Sequence, residues 1–211
     1  LNPSIGYVWI IRVFLIVMLV TPLLLKLDKT IRNAWVCFGA IALVLLVQQG
    51  LVEWLNPMKP GWLIKDWVLY VFGYSAVFLW GLRARKATGA ASSAALAVLA
   101  AGVVASAIYM SLKYDTVMRL QATKYPPQLY FLMWGMLISG ILWFSRRWWT
   151  PVLDRKLFTF IGRNTIWIYL WHIPFVNIVV DGPFDAWHPL WKYIFVYAAA
   201  LCIYAVQYRL V

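Results

Sequence analysis

The sequence predicts an all-α, polytopic membrane bundle of about seven transmembrane helices, and three observations predict it. Of the 211 residues, 64% are hydrophobic and only 12% are charged, whereas a soluble domain is about 45–50% apolar and about 25% charged. The apolar residues gather in runs of roughly 20, the length needed to cross a hydrocarbon core about 30 Å thick. Tryptophan is frequent, with 14 residues. Many (Trp35, Trp54, Trp62, Trp80, Trp148, Trp149, Trp187, Trp191) fall at the ends of those runs, where an amphipathic ring suits the membrane–water interface. The same composition excludes a disordered chain, a disulfide-rich secreted scaffold and an ordinary cytosolic enzyme.

Seven segments qualify, and the connections between them are too short for an extramembrane domain, so residues 1–211 read as a single transmembrane domain. Segment 5–27 carries Pro22 near its end; it is too long for a signal peptide and has no cleavage-site pattern. Segment 34–53 bears Gln48 and Gln49, expected to make interhelical hydrogen bonds, and Glu53. Segment 66–83 runs into a basic stretch, Arg83, Arg85 and Lys86. In segment 91–112, Ser93, Ala97, Ala101 and Ala105 recur every four residues, a small-residue ridge that permits close helix packing. Segment 127–145 opens after Pro126 and at Pro127, where a missing N–H does little harm. Segment 158–180 contains Pro174, which should kink it. Segment 189–209 completes the set. No internal repeat at a fixed period is found. Cys37 and Cys202 fall inside apolar helices and read as small buried hydrophobes, neither a disulfide nor a metal pair.

The net charge of +12 would suggest nucleic acid in a soluble protein. Here the cations sit in the short loops and report topology instead. One side collects twelve: Lys26, Lys29, Arg32, Arg83, Arg85, Lys86, Arg146, Arg147, Arg155, Lys156, Arg163 and Arg209. The other collects six: Lys59, Lys65, Lys113, Arg119, Lys124 and Lys192. The richer side is expected to be cytoplasmic, so the chain enters from outside and ends inside, in contact with the bilayer and with no nucleic-acid partner. An external N-terminus without a signal sequence suggests that an odd number of helices precedes Leu1.

Polar groups in hydrocarbon are costly and usually face a cavity or a partner, so functional candidates start there. His172 lies in the sixth segment, roughly 12 Å below the outer surface at 1.5 Å per residue. Thr165, Tyr169 and His172 stand at i, i+4 and i+7 and share a face. An imidazole there is either a structural hydrogen-bonder or a cavity-lining base or donor. Arg12 lies roughly 10 Å deep in the first segment. It wants an anion, a carbonyl cluster or water, with Trp9 one turn away to stack on it. If Arg12 and His172 face one interior, they share a cavity. Lys124 and Tyr125 mark an external helix start, either a structural device or a lip where Tyr125 stacks on a sugar. Arg147, Arg155 and Arg163, with Arg146 and Lys156, surround the inner start of the sixth segment. They read as topology signal or as an electrostatic seat for a phosphorylated cofactor such as coenzyme A. His188 reads as a solvated loop residue. No Walker loop, CxxC, HExxH or GxSxG occurs, and no metal is expected.

Three stretches carry a resemblance. Phe160-Ile-Gly-Arg-Asn-Thr-Ile-Trp-Ile-Tyr-Leu-Trp-His172-Ile-Pro174 resembles the G-x-x-S/T-x-x-I-Y-L-x-H-x-P helix of acyltransferase family 3, membrane enzymes that acylate sugars. Lys124-Tyr-Pro-Pro-Gln-Leu-Tyr130 resembles the K-Y-P-P-x-L-Y start of one of its late helices, and Gly6 to Arg12 followed by Thr21 to Leu25 resembles its W-[FY]-[IL]-R…P-L-L helix. Their order also matches. The resemblance implies that these segments are the C-terminal portion of a core of about ten helices. It implies transfer of an acyl group, acetyl being commonest, from acyl-CoA to a hydroxyl of a cell-surface or exported glycan across a bacterial plasma membrane. The family's catalytic His, in its first helix, and the arginine pair of its third are not found here. The resemblance therefore puts the catalytic residue, unknown within this chain, upstream of Leu1, and His172 does not inherit that role. Intramembrane Arg and His on a kinked helix also fit a transporter or flippase component, and a truncated, inactive paralogue is a third reading.

Overall fold

The computed structural model describes residues 9–55, 58, 67–87, 89–184 and 186–210. Their regular structure is all helical, with no strand among them. The chain forms two compact units, Leu1–Arg146 and Arg147–Val211.

Unit 1 holds α1 (Trp9–Thr30), α2 (Ala34–Leu55), α3 (Leu69–Lys86), α4 (Ala90–Tyr114) and α5 (Leu129–Phe144), with a 3-10 turn at Leu120–Thr123 before α5. α3 is central and packs against α1, α2 and α5, while α4 lies along α5. The core is Ile41, Leu45, Ala76, Trp80, Leu99, Leu132 and Met136 with their neighbours. Outward faces are apolar as well: Leu19 is 77% exposed and Leu112 81%. Such surfaces suit lipid, where no hydrophobic force drives helices together and packing with interhelical hydrogen bonds must do so. Unit 2 holds α6 (Arg146–Leu153, starting at the junction), α7 (Lys156–Arg163), α8 (Thr165–Asp181) and α9 (Pro189–Leu210), with α8 packed on α9.

Among the described residues, four helices are long and apolar enough to cross a membrane: Ile10–Thr30, Ala34–Leu55, Ala90–Tyr114 and Pro189–Leu210. Leu129–Phe144 with Arg146–Leu153 makes a fifth if counted as one broken span. The expected third segment is α3, 18 residues whose last turn carries Arg83, Arg85 and Lys86. The expected sixth segment is not continuous: it breaks at Asn164 into α7 and the 17-residue α8. The stretch 146–153, read as loop, is helical and breaks from α5 at Ser145. Pro22 lies in the interior of α1, which continues to Thr30. Its missing N–H leaves Met18 O without its helical donor, and beside it the Thr21 hydroxyl donates to Val17 O at 2.7 Å. Residues 5–8, Lys59, Trp62, Lys65, residue 66 and the side chain of Trp9 lie outside the described residues.

Two interactions tie unit 1 together. At its arginine-rich end, Asp28 (4% exposed) on α1 meets Arg83 (5% exposed) on α3. Arg83 Nη2 stands 3.2 Å from Asp28 Oδ1, and Lys86 binds the other carboxylate oxygen. The Arg83 guanidinium also donates to the backbone carbonyls of Asp28, Ile31 and Arg32, which a helix C-terminus leaves without intrahelical partners. At the opposite end, Gln48 Nε2 donates to Pro127 O at 3.1 Å, and Gln49 Oε1 accepts from Leu129 N at 2.9 Å. The expected hydrogen-bonding glutamines thus clamp α2 to the start of α5.

Three placements correct the sequence reading. Ser93, Ala97, Ala101 and Ala105 are all exposed. The close approach between α4 and α5 runs instead through Gly102 and Gly140, because the buried face of α4 is Ser92, Ala95, Leu99 and Val103. Trp80, placed at the interface by its position, is a core residue, 3% exposed, against Phe38. Cys37 is buried but Cys202 is exposed on α9, and both are free.

A Cβ at Gly140 would stand 2.7 Å from Leu96 Cδ2 and 2.8 Å from Trp80 Cζ2; at Gly102 it would stand 2.7 Å from the flexible Met133 Sδ. Gly140→Ala is therefore expected to destabilise unit 1 by about 1–3 kcal/mol and Gly102→Ala by less. Thermal unfolding in detergent checks the order. By the same measurement, Asp28→Ala is expected to lose about 3–5 kcal/mol, because it leaves a buried guanidinium without its counter-charge.

Candidate functional site

A groove of about 540 Å³ runs between α8 and α9 in unit 2. Thr165, Tyr169 and His172 line one wall, with Ile161, Ile168, Val176 and Val179 forming much of the apolar surface. The other wall brings Lys192, Tyr193, Val196 and Tyr197 from α9. Tyr193 and Tyr197 stack, centroids 5.6 Å apart at 28°. From Thr165 to Val180 the groove is roughly 22 Å long at 1.5 Å per residue.

His172 is half-buried. Its Nδ1 donates to the backbone carbonyl of Tyr169, and its ring lies 4.5 Å from the Tyr169 ring, centroid to centroid. An Nδ1–H bound to a carbonyl fixes the tautomer and leaves the Nε2 lone pair as acceptor in the neutral ring. Pro174 stays within an unbroken α8; it has no N–H for the carbonyl of Leu170, one residue beyond the one the imidazole holds. Thr165, at the first position of α8, turns its hydroxyl back onto Ile161 O (3.0 Å) and Gly162 O (3.1 Å).

The break at Asn164 positions this wall. Asn164 Nδ2 donates to Phe160 O at 2.8 Å, and its Oδ1 accepts from Tyr204 Oη at 2.6 Å. The amide thus closes α7 and fastens the junction to α9. Trp171 Nε1 adds a 2.5 Å bond to Gln207 Oε1. Phe160 packs on Tyr204 and Tyr208, with centroids 5.6 and 5.3 Å away.

The other candidates lie apart. Arg12 is half-buried one turn into the described part of α1, in unit 1. Lys124 and Tyr125 precede α5, with Lys124 Nζ 5.1 Å from the Tyr125 ring centroid and a cis Tyr125–Pro126 bond beside them. Burial lowers the Lys124 ammonium pKa below the usual lysine value. Arg147, Arg155 and Arg163 are exposed on the short helices of unit 2, with Arg147 Cζ 5.3 Å from the Trp148 ring centroid. His188 caps α9: its Nδ1 accepts from Leu190 N at 3.3 Å. Among the described residues, no three His, Cys, Asp or Glu side chains gather.

Sequence reasoning missed Lys192, Tyr193, Tyr197 and Asn164 as site residues. The tyrosines had a signal, since their i, i+4 spacing puts both on one face of α9. So did Asn164, which follows Gly162 and Arg163 in a stretch with turn chemistry.

Helices with lipid-suited faces, and a largely apolar groove between two of them that carries a few polar groups, define an integral membrane protein with a candidate site. The class is made specific by a family model described as an acyltransferase domain, which matches residues 1–208. The chain belongs to that family, acyltransferase family 3, and is a membrane acyltransferase. No curated protein and no solved structure matches the chain.

Tyr204→Phe is expected to destabilise unit 2 by about 1 kcal/mol, the net value of one hydrogen bond, and Asn164→Ala by about 1–3 kcal/mol because it strands the mostly buried Tyr204 hydroxyl. Denaturant titration of both variants checks this.

Proposed function

We propose that the enzyme moves an acyl group, acetyl being the simplest, from acyl-CoA to a hydroxyl of a cell-surface or exported glycan. The thioester C–S bond breaks, a C–O ester bond forms, and the acceptor proton leaves with the coenzyme A thiol. The arginine-rich ends face the cytoplasm of a bacterial cell in this reading, and the donor arrives from there.

The observation that carries the reading is the α8–α9 groove, in which His172 presents Nε2 beside Tyr169 within an apolar channel. An acceptor hydroxyl in such a water-poor site gains most from a fixed hydrogen-bond acceptor that orients it. His172 and Tyr169 take that orienting role. Arg147, Arg155 and Arg163 attract the phosphates of the donor at the arginine-rich side. Lys124 and Tyr125 meet the glycan at the other side: an aromatic ring suits a sugar face, and a desolvated ammonium is a strong hydrogen-bond donor.

The test is acyl transfer in membranes carrying the complete enzyme as expressed in cells. His172→Ala is expected to lower kcat about 100-fold, at normal expression. Replacing Arg147, Arg155 and Arg163 together by Ala is expected to raise the acyl-CoA KM about tenfold with kcat little changed, and Lys124→Ala to raise only the glycan KM. Wild-type rates in the His172 variant would remove the groove from the reaction.

A further inference from the structure

A second polar site lies in unit 1, among residues that the acyl-transfer reading does not use. A pocket of about 340 Å³ opens between the end of α3, the start of α4 and the end of α5, with Arg85, Gly89, Ser92, Ser93, Trp143 and Arg146 among its lining.

Its chemistry is that of an anion site. The 25-residue α4 starts at Gly89, whose φ of 65° is a left-handed conformation that glycine adopts without strain. Gly89 offers no side chain to cap the helix. Its carbonyl takes both Ser92 N and Ser93 N, at 3.2 Å each. The N–H groups of Ala90 and Ala91, in the first turn, have no intrahelical acceptor, and the helix dipole adds partial positive charge at that end. An independent observation points the same way. Ser92 is 4% exposed, and its hydroxyl has no hydrogen-bond partner among the described residues. A buried hydroxyl without a partner is unusual in a native protein and points to an acceptor from outside the described residues. Two guanidiniums flank the opening. Arg85 is exposed in the last turn of α3. Arg146 lies over the Trp143 ring, Cζ 4.4 Å from its centroid, and donates to Trp143 O at 3.1 Å. Trp143 is itself anchored, its Nε1 donating to Ala84 O at 3.0 Å.

We propose that this pocket binds a phosphate oxyanion, with Ser92 Oγ and the first amides of α4 as donors and Arg85 and Arg146 as flanking charges. A phosphate presents acceptors on every side and matches the planar fork of arginine. The group comes either from the headgroup of an anionic phospholipid in the adjoining leaflet or from free phosphate, and the experiment separates the two.

The complete chain is purified in detergent, and retained phosphatidylglycerol is measured by native mass spectrometry for the wild type, Ser92→Ala, Arg85→Ala and Lys29→Ala. Lys29 is exposed and lies outside the pocket lining, so its variant controls for charge alone. In parallel, the thermal shift given by inorganic phosphate is compared with that of chloride at equal ionic strength. About tenfold weaker lipid retention in Ser92→Ala and Arg85→Ala, with Lys29→Ala like the wild type, assigns a lipid phosphate. A phosphate-specific stabilisation of the wild type that both pocket variants lose, with lipid retention unchanged, assigns a soluble phosphate. If neither measurement depends on Ser92 and Arg85, the proposal is overturned. Ser92→Ala removes a single buried oxygen and guards against misfolding as the cause of a loss.

Discussion

A carboxylate buried among cations organises unit 1. Asp28 is held by Arg83 and Lys86, and Arg83 at the same time closes the carbonyls at the end of α1. Burial takes such groups away from water, so they must be satisfied from within the protein. One guanidinium answers both the helix end and the carboxylate, and that fixes α1 against α3. α3 then serves as the plate on which α2 and α5 pack, and Trp143 on α5 reaches back to Ala84 at the same end. The interaction also places Lys26, Lys29 and Arg32 beside Arg85 and Lys86, an arrangement that concentrates positive charge at one end of the unit.

Much of this fold was legible in the sequence because hydrophobic run length is a strong signal and the alternative classes are poor fits. What was not legible depended on partners distant in the chain. Asp28 stands alone among basic residues and read as loop; only the arrival of Arg83, 55 residues later, makes it a buried ion pair. Trp80 sits at a segment end, yet α3 is surrounded, so its indole is core. The Ser93–Ala105 ridge has the spacing for close packing, but spacing does not say which face meets a neighbour. The approach is made where Gly102 and Gly140 remove the Cβ altogether. Gln48 and Gln49 were legible as hydrogen-bonders but not their targets, which lie about 80 residues on at Pro127 and Leu129.

The same division holds at the site. The shared face of Thr165, Tyr169 and His172 follows from helical periodicity, and the groove contains all three. The opposing wall does not follow, because it needs the register of α9 against α8. That register is set by Asn164 to Tyr204 and Trp171 to Gln207. Arg12 and His172 belong to different units, so each is understood by its own surroundings.

The break at Asn164 bears on where the groove carries its polar groups. With 17 residues, α8 spans roughly 25 Å, less than a hydrocarbon core of about 30 Å. A continuous sixth helix would have buried its polar groups against uninterrupted apolar turns. Instead the chain turns at Asn164 into α7, which carries Lys156 and Arg163 beside Leu157, Phe158 and Phe160, the composition of a helix lying in the interface. Thr165, in the first turn of α8 next to this helix, lines the groove there. Lys192 stands at the other end, near Val180. His172 lies between them, roughly 10 Å from Thr165 and 12 Å from Val180 along the axis. A helix shortened at one end thus gives the groove polar groups at both mouths and an imidazole near its middle.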